Sequence, residues 1–285
     1  MNNMNIKNYG KTKKIISQIT LNVIIFVLII IMLYPLAMAL WNSFKSDYNY
    51  AYTKWYPTLP LRITNIKDVF GEVVGYIGNT IIVAIMGIGG QIIIACLASY
   101  AFAKLEFPGR KYLFTLVLAL MMVPSVLTLT PSFMLYKNMK LLDNLWALIL
   151  SQWSGGTIAC IFLLYAFFSS IPNDIFEASR IDGSSELHSF IVMAVPLSVP
   201  IIATQAIMSI VGVWNDYLWP MIVLSNRREL MTISAALVLV FSGEHSQNVP
   251  LTYSGYLLSS VPLIFLFVFA NKFYIEGLIG SSIKM

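Results

Sequence analysis

The sequence predicts an all-α membrane protein of six transmembrane helices. Hydrophobic residues make up 58% of its 285 residues and charged residues only 11%, against about 25% charged in an average soluble domain. A soluble core stops growing long before it could bury that much apolar surface. The apolar residues also fall in continuous runs rather than amphipathic stripes, and several reach the roughly 20 residues that a spanning helix needs.

The spans expected from these runs are about 15–41, 76–103, 112–133, 146–169, 190–224 and 253–274. The first is too long for the apolar region of a signal peptide and has no small-residue cleavage site after it. It ends in Tyr34, Pro35 and Trp41, and aromatics favour the lipid–water interface, so it reads as a retained helix. The segment from Met231 to Phe241 is apolar but too short to cross, and is expected as a buried or interfacial helix. Pro124, Pro131, Pro196, Pro200, Pro220 and Pro262 sit in or beside spans. Each leaves a backbone carbonyl without its helical donor, so bends are expected there, either around a pathway or as packing kinks. The chain then divides into an amino-terminal tail (1–14), a membrane domain (15–275) with a distinctive polar loop at about 171–190, and a carboxy-terminal tail (276–285).

The net charge is +5, carried partly by Lys7, Lys11, Lys13 and Lys14 and by the turn holding Lys104, Arg110 and Lys111. These clusters are too small and too close to spans for a nucleic-acid surface. Anionic headgroups of the lipid bilayer suit them better. Six spans put both termini on one side. Placing them in the cytoplasm leaves 10 Lys/Arg inside and 8 outside, and the inside segments are shorter, which agrees with the positive-inside rule. A multi-pass protein of the cell (plasma) membrane is expected.

Catalytic chemistry finds no footing. The histidines are His188 and His245, and no carboxylate pair or Ser/His/Asp order falls at a plausible site. Cys96 and Cys160 lie in separate runs and read as small buried hydrophobes rather than a disulfide or metal site. Gly10-Lys11-Thr12 matches the end of a phosphate-binding loop, but Asn5 stands where the first glycine belongs and no strand precedes it. No catalytic residue, bound metal, cofactor or ATPase site is expected in this chain.

The informative loop runs Ile171-Pro172-Asn173-Asp174-Ile175-Phe176-Glu177-Ala178-Ser179-Arg180-Ile181-Asp182-Gly183. Pro172 and Asn173 open a helix, Asp174 and Glu177 suit its positive end, and Gly183 stops it. Ser184 is expected to cap the following helix, with Glu186 in its first turn. The product is a rigid helix of roughly nine residues between two spans, which serves either as a solvated connector or as a docking element. Trp214-Asn215-Asp216-Tyr217 is the second segment of interest, because an acid near a span is a functional candidate. Aromatic faces beside amide and carboxylate groups suit a sugar, whereas an interfacial tryptophan belt with a solvated Asp216 is the structural alternative.

Glu177-Ala178-Ser179-Arg180-Ile181-Asp182-Gly183 with Val195-Pro196-Leu197 resembles the EAA loop of ABC importer permeases. Ser179 stands where that pattern has a second alanine, and Val195 where it has leucine. Tyr34-Pro35 with Asn42-Ser43-Phe44-Lys45, Gly78-Asn79-Thr80, and Ala98-Ser99-Tyr100-Ala101-Phe102-Ala103 are similar to the carbohydrate-uptake branch, specifically its second, maltose-type permease subunit. So are Phe107-Pro108-Gly109-Arg110, Trp214 to Pro220 and the closing Glu276-Gly277-Leu278. The resemblance implies a type I importer architecture, with an EAA-type coupling loop at about 171–190 docked on the ATPase. It implies a second homologous permease, two copies of an ABC ATPase that bind ATP and magnesium, and an extracytoplasmic sugar-binding protein. Glu177, Ala178, Ser179, Arg180, Asp182 and Gly183 are the implied coupling residues, and Trp214, Asn215, Asp216 and Tyr217 the expected pathway residues. An ABC permease for another solute, such as a polyamine, is the nearest alternative. A stand-alone secondary transporter would show inverted repeats and more ionisable residues in its spans.

Overall fold

The computed structural model describes the backbone of residues 2–244 and 248–282, and side chains over 14–270 apart from 242 and 244–247. His245 lies outside the described residues, as do the side chains of Lys7, Lys11, Lys13 and Glu276-Gly277-Leu278. Every regular element among the described residues is helical. Four helices are long and apolar enough to cross a membrane: Lys14–Ser43, Thr64–Lys104, Trp146–Ser170 and Val249–Ala270. The number reaches six when each of two bent pairs counts as one span.

The chain forms two compact units. The first comprises residues up to 69 together with the short stretch up to 257. It holds α1 (Asn2–Ser43), α2 (Asp47–Thr53), the start of α3 (Thr64–Val83) and the start of α15 (Val249–Ser282). Large apolar side chains along α1 are exposed, Phe26 at 63% and Met32 at 74% among them, a surface suited to hydrocarbon and not to water. Where α1 ends, Asn42-Ser43-Phe44-Lys45 becomes a knot of backbone ties. Asn42, Ser43 and Lys45 are fully buried. Lys45 Nζ donates to the carbonyls of Thr53 and of Tyr56 (2.6 Å), and Asn42 Nδ2 donates to the Lys54 carbonyl at 3.1 Å. Asn65 Nδ2 donates to the carbonyls of Ser43 and Lys45 at 3.0 and 2.8 Å, and Ser254 Oγ to that of Ser43 at 3.0 Å. The motif thus holds the polar segment after α1 in one conformation.

The second unit runs from Phe70 to Glu244 and resumes at Leu258. It contains the rest of α3, α4 (Gly89–Lys104), α5 (Arg110–Leu120), α6 (Ser125–Asn138), α7 (Trp146–Ser151) and α8 (Thr157–Ser170). There follow α9 (Asn173–Ile181), α10 (Glu186–Ser189), α11 (Val195–Leu197), α12 (Val199–Asn215), α13 (Leu218–Val223) and α14 (Ile233–Ala236). The third expected span is α5 and α6, bent by 97° where Pro124 leads into α6 in an extended conformation. The fifth, drawn over 190–224 with bends expected at its prolines, begins at Glu186, bends by 74° between Leu197 and Val199, and ends at Asn215. The reason is local. Pro196 and Pro200 donate no helical hydrogen bond, the Ser198 amide turns to the Val195 carbonyl (3.0 Å), and Ser198 Oγ takes over the Ala194 carbonyl at 2.7 Å. Pro262 lies inside α15 without interrupting it. Helix also continues through the stretches expected as tails, from Asn2 in α1 and to Ser282 in α15.

Two π-helical turns, Ala84–Ile88 and Gln152–Gly156, join α3 to α4 and α7 to α8. They pack against each other where glycine removes the side chain. A Cβ on Gly90 would stand 2.1 Å from Trp153 Nε1, an atom already donating to the Met86 carbonyl at 3.0 Å. One apolar core gathers around this contact, with Val83, Ile88, Leu148, Ile149, Leu224 and Met231. The other, with Cys96, Tyr100, Cys160, Leu164, Phe168, Phe176 and Phe190, lies at the far ends of α4 and α8. Both cysteines are free and buried. The Met231–Phe241 segment is a buried helical stretch, as expected, with Ile233, Ala235, Ala236 and Phe241 fully enclosed. It is held by the Gly78-Asn79-Thr80 motif: Asn79 Nδ2 donates to the carbonyls of Glu229 and Met231 (2.8 and 3.1 Å), and Thr80 Oγ1 accepts the Ile233 amide at 2.9 Å.

Candidate functional site

The loop after α8 folds as its sequence dictates. Ile171 and Pro172 are extended, and α9 then runs for nine residues, Asn173–Ile181. Gly183 ends it with φ of +81°, a conformation glycine adopts without steric cost. The Asp182 amide bonds the Ala178 carbonyl (3.1 Å), that of Gly183 the Arg180 carbonyl (3.0 Å) and that of Ser184 the Ser179 carbonyl (3.0 Å). The next cap falls one residue later than expected, because Ser185 is the extended residue that leads into α10: Ser185 Oγ, not Ser184, accepts the His188 amide at 3.3 Å.

α9 has two unlike faces. Phe176 and Ser179 are buried at 2% exposure. Phe176 packs edge-on to Tyr100 at 5.9 Å, and Ser179 Oγ lies 2.9 Å from Ser189 Oγ. A larger residue than Ser179 would push the helix off this seat. The other face presents Asp174, Glu177 and Ala178 with Ile181, which is 86% exposed. Arg180 is exposed but committed: its Nε donates to Glu186 Oε1 at 2.7 Å, while Tyr100 OH donates to Glu186 Oε2 at 3.2 Å. The hydrogen bond and charge of Glu186 raise the guanidinium pKa above its ordinary value. Exposed as it is, the pair adds about 0.2–1 kcal/mol at most, so its service is to direction rather than stability. Between α9 and the turn after α4 lies a groove of about 540 Å³, bordered by Glu106, Phe107, Glu177 and Arg180.

The second candidate segment is where α12 breaks. Trp214 is buried at 6% exposure, and its carbonyl accepts Ser234 Oγ at 2.5 Å. Asn215 folds onto its own helix, Nδ2 to the Val211 carbonyl at 2.8 Å. Asp216, the C-cap of α12, accepts the Trp219 amide on Oδ1 at 3.3 Å and so ties the break to the start of α13. Tyr217 is 49% exposed. Asn215 and Tyr217 are therefore presented outward, while Trp214 and Asp216 shape the break.

Residues 91–277 match the family described as the binding-protein-dependent transport system inner membrane component. The chain belongs to that family. This permease is 28% identical over 282 residues to the maltodextrin transport system permease protein MdxG of Bacillus subtilis, covering 96% of this chain and 99% of that protein. It is 30% identical over 241 residues to the osmoprotective compounds uptake permease protein GgtD of Synechocystis sp., covering 81% and 80%. Its fold matches a chain in the crystal structure of a bacterial ABC transporter involved in the import of the acidic polysaccharide alginate, with a TM-score of 0.79, 21% identity and coverage of 92% and 98%. It is thus an ABC importer permease, helical throughout its described elements with four to six candidate spans, and one of the membrane-embedded components of its transport system.

Residues that the sequence named for other reasons brace the permease's loop from behind. Lys104 Nζ donates to the Ile171 carbonyl at 2.5 Å and to Asn173 Oδ1 at 2.8 Å. Tyr100 on α4 donates to Glu186, the first residue of α10, which also accepts from Arg180 near the end of α9. Tyr100 and Lys104 lie in or next to the quoted Ala98–Ala103 motif, but nothing in the linear order pairs them with a loop about seventy residues away.

Proposed function

We propose that this permease forms half of a membrane pathway that imports a sugar or oligosaccharide, driven by ATP hydrolysed on a separate subunit. The observation that carries the coupling is α9, a short rigid helix seated by Phe176 and Ser179 that turns Glu177, Ala178 and Ile181 outward. A helix docked in this way moves with its partner as one body and drags the attached spans. Glu177 and Ala178 form the contact surface, Ser179 permits the close seat, Arg180 is aimed by Glu186, and Asp182 with Gly183 ends the helix. A second homologous permease completes the pathway. Two copies of an ABC ATPase supply the ATP and magnesium sites, and an extracytoplasmic sugar-binding protein delivers the solute. Both termini lie in the cytoplasm. Hydrolysis has no place in this chain, which contributes the route and the transmission.

The sugar assignment rests on kinship with the maltodextrin permease and on the amide and phenol that Asn215 and Tyr217 present at the α12 break. The Synechocystis relative, named for osmoprotective compounds, favours a small compatible solute as the second reading. Proteoliposomes separate these readings. With partner permease, ATPase, binding protein and ATP present, labelled maltodextrin should accumulate, and with this permease alone it should not. Accumulation by the permease alone overturns the ABC reading, and uptake of a small osmolyte in place of any sugar shifts the solute.

A further inference from the structure

Lys104 is the last residue of α4. A lysine there ordinarily bonds the last carbonyls of its own helix or reaches toward headgroups. This one does neither. Its Nζ donates to the Ile171 carbonyl at 2.5 Å and to Asn173 Oδ1 at 2.8 Å, and sits 5.0 Å from the centre of the Phe176 ring. The three partners are the C-cap of α8, the first residue of α9 and the residue by which α9 is buried. One ammonium therefore reads the end of a span, the start of the loop helix and its anchor together.

We propose that Lys104 is the positioning residue that locks α9 to α4, so that displacement of the loop helix reaches that span without slack. The inference rests on the reading of α9 as the ATPase dock. The geometry favours transmission over mere packing. Ile171 and Pro172 are extended, so without a tie α9 could swivel on this two-residue joint while α8 stayed still. Lys104 bridges both sides of the joint. Tyr100, one helical turn earlier on α4, packs on Phe176 and donates to Glu186. The α4 end thus holds the front and the middle of the loop helix directly, and its far end through Glu186, which pairs with Arg180. The route is contiguous, from α9 through Lys104 into a helix that packs along α8 by way of Ser99 Oγ on the Ile161 carbonyl at 2.9 Å.

The test uses the complete importer in proteoliposomes, with maltodextrin uptake and phosphate release measured in the same vesicles. Lys104→Met keeps the aliphatic stem and removes the charge and donors. The ATPase should remain bound and hydrolysis continue, while uptake per ATP falls about fivefold or more, the lower end of usual coupling energies. Lys104→Arg should restore most of the ratio, because a guanidinium can donate to both oxygens and stack on Phe176. A lysine that only fills space would give a wild-type ratio in Lys104→Met, and that result overturns the proposal. If Lys104→Met fails to accumulate in the membrane, Asn173→Ala decides by the same ratio. That variant removes one acceptor and leaves the Ile171 carbonyl, so a smaller drop is expected, and a wild-type value is contradictory. Loss of the ATPase from the wild-type complex would instead overturn the reading of α9 as a dock, and the role of Lys104 with it.

Discussion

At Gly183 the backbone, not the surroundings, sets the constraint. Its φ is +81°, yet a Cβ there would meet no atom within 4 Å. A side chain would fit, but most would strain the turn by about 1–2 kcal/mol. The expected order of tolerance is therefore conformational. Gly183→Asn should retain most ATPase binding, because asparagine visits left-handed backbone, whereas Gly183→Val should lose much of it while still inserting in the membrane. Equal retention by the two variants would mean that the turn does not aim α9. Gly90 is the opposite case, with ordinary backbone and no room. Gly90→Ala must displace the Trp153 indole from 2.1 Å, at a cost of about 1–3 kcal/mol for overpacking. A lowered thermal midpoint in detergent, recovered in part by adding Trp153→Ala, is the expected result. Gly183 was legible in the sequence because a stop signal acts on its own backbone. Gly90 was not, since its reason is a ring 63 positions away.

At the scale of elements, hydropathy located the apolar runs because lipid constrains length and polarity directly. It did not locate their breaks. Pro262 sits within a continuous α15, whereas Pro124 and the Pro196/Pro200 pair mark bends of 97° and 74°, and the proline alone does not distinguish the two outcomes. The face of α12 was equally hidden: with apolar residues on all sides, nothing in the order of Trp214-Asn215-Asp216 says which side chain points inward. The quoted motifs gain a shared physical meaning here, for Asn42, Lys45, Asn79, Thr80 and Ser99 all bond backbone atoms of other segments. Thr80→Val tests one such tie. It removes the acceptor of the Ile233 amide, a buried bond, and an orphaned buried donor costs about 1–3 kcal/mol. Hydrogen exchange at Ile233 should quicken by one to two orders of magnitude, as such a cost dictates, while exchange in α8 stays unchanged. Unaltered exchange at Ile233 would show that the buried segment is held by its apolar packing alone.

For the molecule as a whole, the proposed function divides the work: the spans would supply a route, and α9 with its tie to α4 the transmission. The central claim is that α9 is where the energy of a separate ATPase enters this chain. Its exposed face combines Glu177 with the bare Ile181 side chain, 86% exposed. Both residues are exposed, so changing them should spare insertion and assembly with the partner permease. The most direct measurement is the amount of ATPase that co-purifies with each permease pair, for wild type against Glu177→Lys and Ile181→Asp. Each substitution should cut retention at least several-fold, the scale of a contact residue worth more than about 1 kcal/mol, with uptake falling in step. Wild-type retention of the ATPase by both variants, with undiminished uptake, would leave α9 a simple connector and contradict the account.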